Sequence, residues 1–293
     1  MRTSLKFEKR RTIAKLCPCG RNNKDGKFAP FKGYEDKGYC HSCAKCFFPQ
    51  TEIEQTINCF DSKSFVKAIK HTKDDTAQTR IPNHYILSSM RNYERNNFVS
   101  FIHKHFASDE VEKVIDLYKL GTSHRINGSV VFWYIDKQHE VRSGKIMQYN
   151  SSTGNRVKDC WNSIRWVHEL ASIKNFHYEN CLFGEHQLKQ DSNKVVAIVE
   201  SEKTAIISSL CMPQYTWLAT GGLQNFKASL LQILDQRRII AYPDIDAYGD
   251  WKKIAGDIKL SYPIVVSDFL ERRATAEDRT KKLDIGDFLL RNR

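Results

Sequence analysis

Residues 194–205 read Lys-Val-Val-Ala-Ile-Val-Glu-Ser-Glu-Lys-Thr-Ala, and this stretch decides the fold of the C-terminal part of the chain. Its apolar run, Val195 to Val199, predicts a strand buried on both faces, as in a parallel sheet. A helix is expected to follow from about residue 204 to 210. Further strands are predicted at 215–219, 238–242 and 264–267, and further helices at 226–236 and 251–260. Strands that alternate with helices in this way indicate an α/β domain with a parallel sheet flanked by helices.

Acidic residues follow two of these predicted strands. Glu200 comes directly after the first strand, and Asp244 and Asp246 lie just past the strand at 238–242. The carboxyl ends of parallel strands meet at one sheet edge, so we expect the three carboxylates to lie together. Mg²⁺ and Mn²⁺ take such sparse carboxylate ligation and complete their shells with water and phosphate oxygens. Glu200, Asp244 and Asp246 are therefore predicted to be catalytic residues that hold a divalent metal, with Glu200 alternatively a general acid or base.

Three further acidic residues have a less specific context. Asp284 and Asp287, near the C-terminus, are candidate magnesium ligands, and they are equally placed to cap a terminal helix. Glu202 stands at the expected start of a helix, where a negative charge suits the helix dipole.

The region before the parallel sheet has a mixed pattern. Apolar residues recur at helical spacing between residues 83 and 120, and β-rich runs follow at 129–135 and 141–149. Residues 83–190 are therefore predicted to form a basic, mixed α+β middle subdomain. Its candidates for gripping nucleotide phosphates or template are Lys145, Arg156 and Lys158, which a solvated basic face would explain almost as well.

The N-terminal block carries five of the nine cysteines within its first 46 residues. Clustered thiols with short spacing are typical of a structural zinc site. The interval between the two cysteine turns has room for a β-hairpin through residues 28–39. The predicted zinc ligands are Cys17, Cys19, Cys40 and Cys43, with Cys46 as a spare thiolate and His41 as a nitrogen alternative. Residues 1–50 are therefore predicted to be a zinc ribbon and residues 51–82 a linker, leaving residues 191–293 for the parallel sheet.

Composition narrows the class of protein. The chain has 293 residues, and its 46 Lys and Arg against 34 Asp and Glu give a net charge of +12. Such a charge favours a polyanionic partner, above all nucleic acid, although the protein could be merely basic. No apolar run approaches the ~20 residues of a membrane span, and the N-terminus has no apolar secretory core. We therefore expect a cytoplasmic protein without a membrane partner.

Taken together, these motifs resemble a known family. A strand-end Glu200 followed by Asp244-x-Asp246 after a later strand is similar to the Toprim domain of topoisomerases and DnaG-like primases. An upstream cysteine ribbon is the primase order of domains, and the whole chain is similar to zinc-ribbon-plus-Toprim proteins of bacterial mobile elements. In this sequence Ser201 stands where the family usually has glycine, and the first cysteine turn, Cys17-Pro-Cys19, is one residue short.

The resemblance implies a Toprim domain at residues 191–293 and a DNA primase activity. Such an enzyme is a nucleotidyltransferase that joins nucleoside triphosphates on single-stranded DNA, with Mg²⁺ or Mn²⁺ at the acidic site. A replicative helicase is a further partner that the resemblance suggests. Two alternatives keep the same motifs: a metal-dependent nuclease of the Toprim type, and a catalytically silent zinc-ribbon protein that only binds DNA.

Overall fold

The computed structural model of the chain describes residues 7–42, 45–47, 79–157, 164–171, 173 and 175–293. The chain divides into two compact units, Met1–Asp74 and Asp75–Arg293. The predicted boundary between residues 190 and 191 falls inside the second unit, and the predicted linker lies almost entirely outside the described residues.

The first unit contains a three-stranded antiparallel sheet in the order β1-β2-β3. Its strands are β1 (Phe28–Pro30), β2 (Gly38–Cys40) and β3 (Lys45–Phe47), and a 3₁₀ turn spans Arg11–Ile13. Phe28 pairs with Cys40, so the hairpin predicted through residues 28–39 is confirmed. The small core of this sheet is formed by Ala14, Cys17, Phe28 and Cys40.

A buried asparagine holds the chain before this hairpin in place. The side-chain amide of Asn23 donates hydrogen bonds to the carbonyl oxygens of Arg11 (2.9 Å), Ala14 (3.0 Å) and Phe28 (2.9 Å). Its own carbonyl oxygen accepts from the backbone amide of Phe28 at 2.6 Å. A small unit with few apolar residues thus gains order from a fully bonded polar side chain.

The second unit begins with helices and an antiparallel sheet in the order β4-β5-β6-β7. The helices are α1 (His84–Ser89), α2 (Asn97–Ile102), α3 (Ser108–Tyr118) and α4 (Val167–Leu170), with 3₁₀ turns at Tyr93–Arg95 and Glu185–Lys189. The strands are β4 (Gly121–Thr122), β5 (Ser129–Ile135), β6 (Val141–Gln148) and β7 (Arg165–Trp166). The two predicted β-rich runs and the helical pattern predicted between residues 83 and 120 are therefore confirmed.

The rest of the second unit is built on a four-stranded parallel sheet in the order β11-β10-β8-β9. Its strands are β8 (Val196–Val199), β9 (Thr216–Ala219), β10 (Ile239–Ala241) and β11 (Val265–Val266). Its helices are α5 (Glu202–Cys211), α6 (Ala228–Leu231), α7 (Tyr248–Asp257), α8 (Phe269–Arg273), α9 (Ala276–Lys281) and α10 (Ile285–Arg291), with 3₁₀ turns at Leu223–Asn225 and Gln232–Leu234. The predicted parallel α/β arrangement is confirmed.

One helix differs from its prediction. In place of a helix over residues 226–236, the chain forms the four-residue α6 and then the 3₁₀ turn Gln232–Leu234. Leu231 and Leu234 are both fully buried, a spacing of three that a 3₁₀ turn presents on one side as well as an α-helix does. Hydrophobic periodicity alone therefore could not distinguish a continuous α-helix from a short helix followed by a 3₁₀ turn.

A shared hydrophobic core joins the two sheets of the second unit. It includes Phe132 of β5, Val199 of β8 and Ile207 of α5, all buried. The Tyr118 hydroxyl of α3 also donates a hydrogen bond to the carbonyl oxygen of Trp217 in β9 at 2.9 Å. This packing places the antiparallel sheet against the start of α5, where the acidic residues lie. Within the part of the chain that the structure describes, no helix is long and apolar enough to cross a membrane.

Candidate functional site: an acidic sheet edge and a cysteine cluster

The carboxyl edge of the parallel sheet brings three loops together. Glu200 directly follows β8, and Asp244 follows β10, which is the parallel neighbour of β8. Gly221, just after β9, donates its backbone N–H to the carbonyl oxygen of Glu200 at 2.9 Å. We call the four carboxylates at this place, those of Glu200, Asp244, Asp284 and Asp287, the acidic edge.

Asp244 has a strongly raised pKa within the acidic edge. Burial raises its pKa to about 8, and the charges of Asp284, Glu200 and Asp287 add to the effect. The side chain is half-buried, and none of the described residues donates a hydrogen bond to its carboxylate. At neutral pH the side chain is therefore mostly protonated unless a cation is supplied.

Glu200 lies partly buried beside it. Burial raises the pKa of Glu200, and the charges of Glu202 and Asp284 act in the same direction. A hydrogen bond from the backbone amide of Leu223 and the charge of Lys145 oppose this rise. Two crowded carboxylates with raised pKa values form the kind of donor set that a hard divalent cation stabilises.

Asp284 and Asp287 form the start of α10. Asp284 is the N-cap residue, and its Oδ1 accepts the backbone N–H of Asp287 at 2.8 Å. Its Oδ2 accepts the hydroxyl of Thr204 in α5 at 2.6 Å. The predicted helix cap is therefore present, and because α10 packs on α5 the same pair also lies at the acidic edge.

Among the described residues, Lys203 is the basic side chain placed directly on this pair. Its Nζ lies 2.7 Å from Asp287 Oδ1, and the residue is only 8% exposed. Burial alone would lower the pKa of Lys203, but the charges of Asp284 and Asp287 outweigh it and raise the pKa. Sequence reasoning missed this lysine, because its partner lies 84 positions away.

Asp246, the third member of the predicted set with Glu200 and Asp244, forms an ion pair with Arg279 in this structure, and its role as a metal ligand stays a prediction. Its side chain is exposed, and its Oδ1 is 2.7 Å from Nη1 of Arg279, an arginine that also pairs with Glu271 at 3.2 Å. The backbone of Asp246 has φ of 71°, in the left-handed region. The alternation that would place Asp244 and Asp246 on one side holds only in an extended chain, and here the chain has already turned.

Lys145 and Glu202 form a buried ion pair that the sequence did not predict, while Glu202 stands in the first turn of α5 as expected. Lys145 is 5% exposed and Glu202 1% exposed, and the distance from Nζ to Oε1 is 2.8 Å. Tyr134 donates its hydroxyl to the same carboxylate oxygen. Lys145 also donates to the carbonyl oxygen of Gly221 at 3.0 Å. The lysine of β6 thus holds the loops after β8 and β9 and does not face solvent, while the glutamate serves more than the helix dipole.

Of the other two predicted basic contacts, the structure describes only one. Arg156 is exposed, and its backbone forms an isolated antiparallel bridge with Tyr149. Lys158 lies outside the described residues.

The cysteine cluster lies in the first unit. The sulfur atoms of Cys17, Cys19 and Cys40 all lie within 4.8 Å of one another. Among the described residues, this is the only set of three such side chains brought that close, so the acidic edge is the wider of the two groupings. Cys43 and the side chain of Cys46 lie outside the described residues. The structure therefore does not decide which of the two cysteines would be the fourth ligand.

The geometry of the cluster fits a tetrahedral metal site. The Sγ atoms of Cys19 and Cys40 are 4.0 Å apart, and zinc–sulfur bonds of about 2.3 Å place neighbouring sulfurs about 3.8 Å apart. The short Cys17-Pro-Cys19 turn closes with a bond from the Gly20 amide to the Cys17 carbonyl oxygen at 2.8 Å. Gly20 has φ of 85°, a conformation that glycine adopts without strain. Burial and the neighbouring thiols raise the pKa of Cys17 to about 12, so a bound cation is needed to hold this thiol as a thiolate at neutral pH.

Comparisons with known proteins give one family and several distant structures. No curated protein matches the chain. The primase fragment of the bacteriophage T7 primase-helicase protein is 14% identical, with a TM-score of 0.43, over 85% of this chain and 86% of that one. The E. coli primase catalytic core is 15% identical, with a TM-score of 0.42, over 58% of this chain and 64% of that one. The RNA polymerase domain of Mycobacterium tuberculosis primase DnaG is 12% identical, with a TM-score of 0.41, over 71% and 79% of the two chains. At such low identities and TM-scores, the likeness assigns neither an activity nor a ligand to this chain.

A family model matches the part of the chain that holds the antiparallel sheet and the first three strands of the parallel sheet. The match covers residues 96–245, from the start of α2 to just past Asp244, and includes just over half of the sequence. The chain therefore belongs to the family described as a domain of unknown function, DUF6371.

Proposed function

We propose that this protein is a metal-dependent nucleotidyltransferase of the primase type, which joins nucleoside triphosphates on a single-stranded DNA template. The observation that carries the proposal is Asp244, which has a pKa of about 8, lies beside Glu200 at the carboxyl edge of a parallel sheet and receives no hydrogen bond on its carboxylate from the described residues. A carboxylate kept this unfavourably is typical of a functional site, since structure alone would favour a neutral residue there.

The acidic edge supplies ligands of the right chemistry for Mg²⁺ or Mn²⁺. Glu200 and Asp244 would hold the ion, with Asp284 and Asp287 beside them at the acidic edge. A divalent ion in such a site stabilises the negative charge that develops during phosphoryl transfer. The protein's own contribution is positional: the Lys145–Glu202 pair and the Gly221 amide fix the loop that carries Glu200.

The first unit and the net charge support a nucleic-acid substrate. Cys17, Cys19 and Cys40, with Cys43 as the fourth ligand, would hold a structural Zn²⁺. The net charge of +12 favours single-stranded DNA and nucleotide phosphates as partners, with Arg156 and Lys158 as candidate contacts. A replicative helicase is a further partner of the proposed enzyme.

Labelled nucleotide incorporation on single-stranded DNA tests the proposal. The full-length chain, loaded with zinc, should extend products only when Mg²⁺ or Mn²⁺ is present. Asp244→Asn should abolish this incorporation, while Asp246→Asn, a matched change two positions away and outside the acidic edge, should retain most of it. DNA binding without any product would favour the catalytically silent protein, and shortening of the labelled DNA would favour the nuclease.

A further inference from the structure

The acidic edge has two halves that differ in how their oxygen atoms are used. In one half, both oxygens of Asp284 accept hydrogen bonds, from the Asp287 amide and the Thr204 hydroxyl. Asp287 Oδ1 receives the Lys203 ammonium at 2.7 Å, and Asp287 Oδ2 faces the Asp284 amide at 3.5 Å. In the other half, none of the described residues donates to the carboxylate of Asp244.

Lys203 supplies a positive charge to the first half from within the chain. It is buried, it comes from the first turn of α5, and the charges acting on it are those of Asp284, Asp287 and Asp244. A lysine ammonium is a compact point charge, comparable in reach to a bound monovalent cation. Because α10 packs on α5, this charge is fixed in the fold and does not depend on the solution.

The fifth acidic residue, Asp246, is also removed from the count of available ligands. Arg279 holds it on the outside of the sheet edge, together with Glu271. The carboxylates left open to a metal ion are therefore those of Glu200 and Asp244. A single Mg²⁺ takes one or two carboxylates and fills its remaining positions with water and phosphate oxygens.

We propose that Lys203 is a resident cation of the acidic edge, so that this edge binds one divalent ion, at Glu200 and Asp244, where four clustered carboxylates would otherwise take two. The inference rests on the proposed metal site and specifies its stoichiometry. Lys203 acts here as a positioning residue, because it neutralises Asp287 and, next to it, Asp284, and makes no contact with the reacting groups.

Counting Mn²⁺ ions by electron paramagnetic resonance tests this directly. The zinc-loaded, full-length chain is titrated with Mn²⁺, and the loss of the free-ion signal gives the number bound. We expect one Mn²⁺ per chain for the wild type and none at this edge for Asp244→Asn. Lys203→Met should bind a second Mn²⁺, since Asp287 becomes available, and Lys203→Arg should restore the count to one.

Asp287→Asn provides an answer that does not depend on the folding of Lys203→Met. It removes the partner of Lys203 and should still bind one Mn²⁺, with an affinity within about tenfold of the wild type. Loss of Mn²⁺ binding in this variant would show that Asp287 is itself a ligand and would overturn the inference. Two Mn²⁺ ions on the wild type would overturn it while leaving the proposed metal site intact, and no Mn²⁺ at all would overturn both.

Discussion

Replacing Asp244 by asparagine is expected to stabilise the protein in magnesium-free buffer. In the folded chain, burial and the charges of Asp284, Glu200 and Asp287 raise the pKa of Asp244 from 3.8 to about 8. Between these two values the folded state holds a proton that the unfolded state has released. The free energy of unfolding of the wild type therefore falls as the pH rises from about 4 to about 8.

The size of this effect follows from the pKa values. A tenfold change in an acid equilibrium corresponds to about 1.4 kcal/mol. At pH 7, about three pH units above the ordinary value, the wild type loses up to about 4 kcal/mol relative to a protonated side chain. At pH 5 the corresponding loss is below about 2 kcal/mol. Asparagine does not titrate, so the advantage of Asp244→Asn should grow between pH 5 and pH 7.

Urea denaturation followed by tryptophan fluorescence measures this difference. All five tryptophans follow residue 130, so the signal reports on the second unit alone. Saturating Mg²⁺ should raise the stability of the wild type and leave Asp244→Asn unchanged, because a ligand stabilises only the state it binds. The exposed Asp246→Asn should change stability by less than about 1 kcal/mol at either pH. An Asp244→Asn advantage that is absent, or equal at pH 5 and pH 7, would refute the reasoning.

Three further substitutions probe the rest of the structure. Cys40→Ser should release the metal of the cysteine cluster and loosen the first unit, which elemental analysis and proteolysis would detect; full zinc retention would contradict the site. Lys145→Met leaves the Glu202 carboxylate buried and unpaired, so denaturation should show a loss of about 3–5 kcal/mol that the double variant with Glu202→Gln largely recovers. Gly221→Ala should cost about 1–3 kcal/mol, because φ is 76° and the new Cβ would lie 2.1 Å from the Tyr134 hydroxyl. Removing that hydroxyl in Tyr134→Phe should recover part of the loss, and wild-type stability of the alanine variant would contradict the close contact.

Local sequence was sufficient for the parallel sheet and for part of the acidic edge. Glu200 and Asp244 each follow an apolar run, so the meeting of strand ends alone predicted that they lie near each other. The structure places them there, and their catalytic roles stay a prediction. The Cys17 and Cys40 turns were predictable for a similar reason, since short spacing keeps ligand atoms close whatever the rest of the chain does.

The contacts that local sequence could not give are those made across the fold. Asp246 has the same residue type and nearly the same position as Asp244, and only the turn after β10 and the distant Arg279 separate their environments. Lys145 looked like a phosphate contact because β6 gives no sign that the start of α5 will cover it. Burial of a charge depends on the packing of elements far apart in sequence, which no local period encodes.

The buried contact between Lys145 and Glu202 also bears on how such a chain can be inherited. The lysine belongs to the antiparallel sheet and the glutamate to the parallel one, and each depends on the other for a counter-charge. A gene fusion that kept only one sheet would leave either the Lys145 ammonium or the Glu202 carboxylate without its counter-charge. We expect selection to remove most such fragments. We therefore expect recombination to keep the two sheets in one gene segment and to exchange domains on either side of them. The DUF6371 match at residues 96–245 contains both Lys145 and Glu202, with the whole antiparallel sheet and three of the four parallel strands.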